Sequence, residues 1–295
     1  MPELPDITVY RERLESYLVG RAPSRVRVLN PFVLRSVTPA PSVLEGTQII
    51  GVTTIGKRLV LEFEYGRFLV VHLMIAGRFR WRPPGKSLSG KLALAALDFE
   101  HGTLFLSEAG SKRRASIFLV EGQPALAQFD RGGIDPLSAS FEEFAHALRR
   151  ENHTLKRSLT DPRLFSGIGN AYSDEILHAA RLSPMLLTSR LTDDTIHRLC
   201  DATRDTITSW TARLRAEVGN GFPETVTAFH AAMSVHGRFG KPCPDCGAPV
   251  QRIRYADNET NYCARCQTDG RILADRALSR LLKRDFPRSL DALEG

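Results

Sequence analysis

The sequence predicts an α+β protein with an N-terminal helix, a β-sandwich, a helical domain and a small metal-binding ribbon. Three observations predict this fold class. Apolar and polar residues alternate, as in β-strands, from about residue 22 to residue 120, and they follow a helical period after about residue 138. Two C-x-x-C motifs lie near the C-terminus. The length of 295 residues suits about two domains.

The composition is that of a folded protein with an excess of basic residues. The chain has 40 Lys and Arg against 33 Asp and Glu, and 42% of its residues are apolar. This apolar content argues against a disordered chain, and the net charge of +7 favours a polyanionic partner such as nucleic acid. The apolar stretch 68–77 is too short to span a bilayer, and residues 1–15 lack the apolar core of a signal peptide. We therefore expect a cytoplasmic protein that does not contact a membrane.

The first predicted domain covers residues 1–120. Its helix is predicted by apolar residues at helical spacing, which are Ile7, Tyr10, Leu14 and Tyr17. Several short antiparallel strands follow, because alternating runs rich in Val, Phe and Leu are separated by Gly-containing turns. These runs are 25–28, 58–63, 78–81, 104–106 and 116–119. Together they predict the β-sandwich.

The second half of the chain is predicted to be helical. Residues 121–137 are rich in Gly and Pro and poor in periodic apolar residues, so we expect an interdomain linker there and a helical domain over 138–235. A capping box, Ser140-x-x-Glu143, begins one helix. A longer helix ends at Gly219 and has one face composed of Ile196, Leu199, Thr203, Ile207, Trp210 and Leu214.

The cysteines predict a zinc site. Cys243 and Cys246 form one C-x-x-C pair, and Cys263 and Cys266 form another, with sixteen residues between the two pairs. Each pair supplies two thiolates from one tight turn, so together they complete the tetrahedral ligand set of one structural Zn²⁺. Chance thiol pairs or a redox motif are the alternatives. We expect a ribbon over residues 236–267 that folds around the metal, whereas Cys200 is interpreted as a buried structural thiol.

The N-terminus contains a second candidate site. Removal of the initiator Met would expose Pro2 as a secondary amine, and an α-amine with a pKa near 8 is partly unprotonated at neutral pH. Amines attack sugar aldehydes to give Schiff bases, and Glu3 is placed to supply acid and base steps. Alternatively, Pro2 and Pro5 only stiffen the entry to the first helix, and Glu3 favours its positive end.

A glycine turn forms the third candidate site. Gly167-Ile168-Gly169-Asn170 precedes a run with helical periodicity, so the turn is predicted to begin a helix. Backbone amides at such a helix start, together with the Asn170 side chain, can bind a phosphate. A simple tight turn without a ligand is the alternative.

In their order along the chain, these motifs resemble the bifunctional DNA glycosylases that include formamidopyrimidine-DNA glycosylase and endonuclease VIII. The resemblance covers about residues 1–267 and includes His72-Leu73-Met74 and Val235-His236-Gly237-Arg238. It implies a helix-two-turn-helix in the helical domain, and a monomer that acts on damaged double-stranded DNA. The implied reaction is removal of an oxidised base, followed by cleavage of the strand by elimination through a Schiff base.

The resemblance also implies a role for each matching residue. Pro2 is implied as the nucleophile, Glu3 as the acid that assists sugar-ring opening, and Lys57 as the proton donor in β-elimination. Met74 is implied to fill the space left by the flipped base. DNA contacts are expected for His72, Met74, Arg113, Arg114, Lys156, Asn170 and Asn258.

The sequence departs from the family's pattern at several places. A ribbon arginine, credited in the family with phosphate binding and δ-elimination, is replaced by Asn258, which carries no charge. The segment 108–116 lacks the family's Arg and Phe void fillers, although Arg113 or Arg114 can substitute for one of them. The segment from Gly219 to Cys243 is short for a base-capping loop. These departures leave open a zinc DNA-binding protein that recognises lesions without excising them. Residues 268–295 extend past the family's usual end, where leucines suggest an extra helix.

Overall fold

The computed structural model describes residues 1–88, 92–109, 112–224, 229–255, 258–274 and 288–290. The chain divides into two compact units. The first consists of Met1–Arg131 and Trp210–Thr227, and the second of Gly132–Ser209 and Ala228–Gly295. Across the described residues, the structure contains no helix with the length and apolar character needed to cross a membrane.

The first unit has one N-terminal helix and two four-stranded antiparallel sheets, which confirms the predicted fold class. Helix α1 is Leu4–Leu18. One sheet has the order β1 (Arg25–Val28), β6 (Ala93–Phe99), β7 (Gly102–Glu108) and β5 (Gly77–Arg82). The other has the order β2 (Ile49–Ile55), β3 (Arg58–Phe63), β4 (Arg67–His72) and β8 (Ser116–Glu121).

The core of the first unit lies between these two sheets. Alternate residues of a strand point to opposite faces, so Leu59 and Leu61 of β3 share one buried cluster with Leu104 and Leu106 of β7. The predicted apolar face of α1 joins the same cluster, in which Tyr10 is fully buried. Burial of this apolar surface stabilises the sandwich and holds α1 against it.

The segment predicted as a linker contains structure of its own. Gln123–Phe129 forms a short 3-10 helix, and its Leu126 and Phe129 pack against Val60 and Val70 on the other face of the second sheet. Two apolar residues three positions apart are too short a pattern to indicate a helix in the sequence. The boundary between the two units falls after this helix, at residues 131 and 132.

The second unit contains the predicted helices and a two-stranded ribbon. Its elements are α2 (Phe141–Arg149), α3 (Leu155–Thr160), α4 (Asn170–Ala179), α5 (Asp193–Val218), β9 (Gln251–Tyr255), β10 (Asn258–Tyr262) and α6 (Ala264–Thr268). Residues of α5 from Trp210 onward group with the first unit. The capping box is present, because the Glu143 amide donates to Ser140 Oγ at 3.2 Å and the Ser140 amide donates to the Glu143 carboxylate at 2.7 Å. Residues 275–287, which include most leucines of the expected C-terminal helix, lie outside the described residues.

Candidate functional site

The N-terminal residues are held at the start of α1. Pro2 and Glu3 are both buried, and Glu3 occupies the N-cap position directly before Leu4. The backbone amide of Glu3 donates to the Asp6 carboxylate at 2.7 Å. Pro5 lies in the first turn, where the missing N–H of a proline costs no hydrogen bond. Glu3 and Pro5 therefore stabilise the start of α1, which is the structural role described above as the alternative. The same contacts hold the N-terminal residues at the start of this helix.

The terminal amine lies among several charged groups. Burial lowers the pKa of the Met1 amine, and the positive charges of Arg78 and Lys57 lower it further, while Glu3 and Asp6 raise it. Lys57 occupies the turn between β2 and β3, where Gly56 adopts a φ of +58°. A lowered pKa increases the fraction of neutral amine that can act as a nucleophile.

Asp6 is a buried acid that the sequence reasoning missed. Its side chain is fully buried, and burial raises its pKa to about 7. The Glu3 amide donates a hydrogen bond to Oδ2 of the Asp6 carboxylate. Its other oxygen, Oδ1, has no hydrogen-bond partner among the described residues. An acid in the first turn of a helix is common for electrostatic reasons alone, so its position along the chain carries no signal of burial.

His72 and Met74 lie at the end of β4 and in the turn that follows. Burial and the charges of Arg58 and Lys57 lower the pKa of His72 to about 4, so its ring is neutral at physiological pH. Met74 adopts a left-handed φ of 54°. The turn closes through a 2.9 Å bond from the Gly77 amide to the Leu73 carbonyl oxygen. A Cβ on Gly77 would lie 2.1 Å from that oxygen, so only glycine fits there.

Arg113 and Arg114 lie in the connection between β7 and β8. The buried Glu108 carboxylate accepts hydrogen bonds from the amides of Arg114 at 2.8 Å and Ala115 at 2.9 Å. These hydrogen bonds hold the residues before β8 against Glu108 at the end of β7. Both arginine residues are exposed.

The glycine turn of the second unit does begin a helix. Gly167 has a φ of 79°, Gly169 is the N-cap and Asn170 is the first residue of α4. The Asn170 side-chain amide donates to the Glu259 carbonyl oxygen on β10 at 2.9 Å. Lys156 Nζ donates to the Asn170 carbonyl oxygen at 2.6 Å. The structure thus brings Lys156 and Asn170 together beside the ribbon.

Asp174 lies at the centre of this region, although the sequence reasoning did not single it out. Its fully buried carboxylate pairs with Lys156 Nζ at 2.5 Å and contacts His236 Nδ1 at 2.8 Å. It also accepts from the Asn261 amide at 3.1 Å. A buried carboxylate without these partners would carry a large desolvation cost. The neighbouring Glu175 accepts three backbone amides, those of Ser234, Val235 and His236.

The four predicted zinc ligands meet at one end of the ribbon. One ligand atom from each of Cys243, Cys246, Cys263 and Cys266 lies within 4.8 Å of the other three. The Cys243 and Cys266 sulfurs are 3.9 Å apart, and those of Cys246 and Cys263 are 3.4 Å apart. Tetrahedral zinc with Zn–S bonds of about 2.3 Å places its sulfurs roughly 3.8 Å from one another, so the cluster fits the ion. The cysteines form a structural zinc site.

Asn258 lies at the opposite end of the ribbon, as the first residue of β10. It is exposed and pairs with Tyr255 across the hairpin. The next residue, Glu259, pairs with Arg252 at 3.6 Å. The ribbon therefore presents an uncharged amide at the position where the family's pattern has an arginine.

Three family models match the chain in sequence order. The formamidopyrimidine-DNA glycosylase N-terminal domain matches residues 1–113, the formamidopyrimidine-DNA glycosylase H2TH domain matches 133–214, and a zinc finger found in FPG and IleRS matches 240–268. A formamidopyrimidine-DNA glycosylase of Thermus thermophilus is 32% identical, over 92% of this chain and all of that relative.

Solved structures give the same relationship. The MutM (Fpg) protein of Thermus thermophilus superposes with a TM-score of 0.75 at 32% identity, over 90% of this chain and 98% of that one. Lactococcus lactis Fpg in complex with DNA containing N7-benzyl-Fapy-dG has a TM-score of 0.81 at 25% identity, over 90% of this chain and all of that one.

The fold and the family models define a DNA-repair glycosylase of the bifunctional type, which also cleaves the strand at abasic sites. The chain belongs to the formamidopyrimidine-DNA glycosylase family.

Proposed function

We propose that this protein excises oxidised bases from double-stranded DNA and cleaves the strand through a Schiff base on Pro2. The observation that carries the proposal is the environment of the N-terminus. Pro2 is buried next to the buried acid Glu3. Burial lowers the pKa of the Met1 amine that precedes Pro2, and Arg78 and Lys57 lower it further, whereas Glu3 and Asp6 raise it. An amine beside carboxyl groups that can transfer protons is the combination that attack on a sugar carbon requires.

The reaction begins once Met1 is removed and the Pro2 nitrogen is free. This nitrogen forms a bond to C1′ of the damaged nucleoside and loses its proton. The bond from C1′ to the base breaks, and the base leaves with the bonding electrons and takes up one proton. Glu3 protonates the ring oxygen, so that the sugar opens to an iminium ion. Loss of a proton from C2′ then expels the 3′ phosphate, with Lys57 as the proposed proton donor and phosphate contact. Water finally releases Pro2.

The second unit supplies the proposed contacts with the DNA backbone. Lys156 has three N–H donors, of which two contact the Asn170 carbonyl oxygen and Asp174, so the third can bind a phosphate. Asn170 would bind the phosphate next to the lesion, at the positive end of α4. Further DNA contacts are proposed for His72, Met74, Arg113, Arg114 and Asn258.

We propose the same domain boundaries as the sequence indicated, with residues 121–137 between the catalytic domain and the helix-two-turn-helix domain. The protein is proposed to act as a monomer, in the cytoplasm and in association with the nucleoid. Residues 236–267 would form the zinc ribbon, and 268–295 a C-terminal extension.

Cleavage of a defined duplex tests the proposal. A labelled duplex with one oxidised pyrimidine is incubated with the mature protein, and with a matched protein that keeps one extra residue before Pro2. We expect strand cleavage by the first and none by the second, since the Pro2 nitrogen of the second protein lies in a peptide bond and is no longer an amine. Intact-mass measurement establishes whether Met1 is present. A protein that retains Met1 and binds the lesion without cutting would instead be the lesion-recognising DNA-binding protein.

A further inference from the structure

One face of α4 contacts the zinc ribbon through residues spaced four apart, which lie above one another on a helix. Asn170 contacts the Glu259 carbonyl oxygen, and Asp174 contacts the Asn261 amide. His178 is the third residue of this series, and its Nε2 lies 3.2 Å from the Cys243 sulfur. The His178 and Cys243 residues are only 4% and 2% exposed. The third contact therefore joins the helix directly to a zinc ligand.

The chemistry of a bound thiolate defines the direction of this hydrogen bond. Zinc is ligated by the deprotonated sulfur, so the Cys243 sulfur can only accept, and the proton must belong to the imidazole. We propose that His178 is a positioning residue of the zinc site, which donates its Nε2–H to the Cys243 thiolate. The bond withdraws part of the negative charge from one of four thiolates and fixes the orientation of the first C-x-x-C turn.

His178 is better placed as a donor than as a zinc ligand. The four cysteines already complete a tetrahedral set. The Asp245 carboxylate lies 4.0 Å from Nε2, beyond hydrogen-bond distance. Asp245 also has Arg181 at 3.6 Å as an alternative partner. The sulfur of Cys243 is therefore the acceptor within reach of the ring nitrogen.

The position of His178 on α4 has a consequence beyond the metal. Asn170 begins the same helix, and Asp174 lies between the two residues. Loss of zinc would leave Cys243 as a thiol, which is a weaker acceptor for His178 than the thiolate, and would loosen the ribbon strand that contacts Asn170 and Asp174. Zinc occupancy is in this way coupled to the helix that carries the proposed phosphate contact.

Zinc affinity measured by competition with a chromophoric chelator tests the proposal without relying on enzyme activity. His178→Phe keeps a ring of similar size but removes the donor, whereas His178→Gln keeps an N–H near the position of Nε2. We expect the Phe variant to bind zinc about 10 to 100 times more weakly, and the Gln variant to remain within about threefold of the unmodified protein. His146→Phe, at an exposed position on α2, is the matched control and should have no effect.

Substitution of Co²⁺ for zinc provides a readout that a merely space-filling side chain would not change. Removal of an N–H···S bond makes the thiolate a better electron donor, so the sulfur-to-cobalt charge-transfer band should shift to lower energy in His178→Phe but not in His178→Gln. If the Phe variant does not fold, His178→Asn replaces it, because its amide is too short to reach the sulfur. If both the zinc affinity and the cobalt charge-transfer band are unchanged in the variant without the donor, His178→Phe or His178→Asn, the proposal is overturned.

Discussion

The backbone amide of Glu3 donates a 2.7 Å hydrogen bond to the carboxylate of Asp6, and this bond joins two buried acids at the beginning of α1. Burial raises the pKa of Asp6 to about 7, so it holds a proton close to neutral pH. A proton donor of this kind lies beside the terminal amine, where the proposed reaction needs protons to be moved.

Asp6 should make the stability of the protein depend on pH. The folded pKa of about 7 lies above the ordinary value of 3.8, so between these pH values the folded state keeps a proton that the unfolded chain releases. The resulting stabilisation is complete below about pH 4 and is lost as the pH rises through 7. Compared with Asp6→Asn, the unmodified protein should therefore lose Tm between pH 5 and pH 8. Asp194→Asn, at an exposed position, is the control, and an equal pH response of all three proteins would contradict the raised pKa.

Zinc should be bound at one ion per chain through the four ribbon cysteines. Cys263→Ala should lose most of the metal and bind DNA at least about tenfold more weakly, because a ribbon of this size depends on metal binding for its folding. The first unit should stay folded, as circular dichroism of its strands would show. Metal analysis checks the stoichiometry, with Cys200→Ala as a matched variant outside the site. Full metal content in Cys263→Ala would show that the ligand set is wrong.

Asn258 should limit how far elimination proceeds. Its amide cannot neutralise a phosphate, so we expect products of the first elimination to exceed those of the second. Asn258→Arg should raise the share of the second product, and should steepen the dependence of log affinity on log salt by about 0.9 for one added phosphate contact. Gln128→Arg adds the same charge at an exposed position in the first unit. If Asn258→Arg and Gln128→Arg change the product ratio equally, the change comes from the added positive charge and not from its position on the ribbon.

The lesion preference should follow from the connection between β7 and β8. Arg113 and Arg114 are exposed there, and residues 112–116 contain no aromatic residue to stack beside them. Discrimination between opposite bases, worth about 1 to 3 kcal/mol for each good bidentate contact, should be reduced. We predict a preference for oxidised pyrimidines, ring-opened or hydantoin lesions and abasic sites over 8-oxoguanine. A panel of single-lesion duplexes under single-turnover conditions checks this, and strong excision of 8-oxoguanine only opposite cytosine would contradict it.

The elements that could be predicted from the sequence are those in which apolar and polar residues follow a regular period. The alternating runs 25–28 and 58–63 became β1 and β3 with the predicted bounds. Strand β6 was not predicted, because four consecutive residues within Ala93–Phe99 are buried and no alternation results. Strand β2 contains a register shift between Ile49 and Gly51, which interrupts its pattern.

The zinc site was predictable because its ligands have a characteristic local spacing. The contacts that organise the second unit connect residues distant in sequence, such as Asp174 with His236 and His178 with Cys243. No local pattern distinguishes such a buried Asp or His from one exposed on a helix. Asp6 was missed for the same reason, since its burial depends on the packing of α1 against the sheets.

Reductive trapping with borohydride tests the central claim most directly. The mature protein is mixed with a duplex containing one abasic site, the Schiff base is reduced, and the modified residue is identified by peptide mass spectrometry. We predict one covalent protein–DNA complex linked through the Pro2 nitrogen, and its loss when an uncleaved residue precedes Pro2. Undiminished trapping by the protein with a blocked N-terminus, or a crosslink at Lys57, would contradict the assignment of Pro2 as the nucleophile.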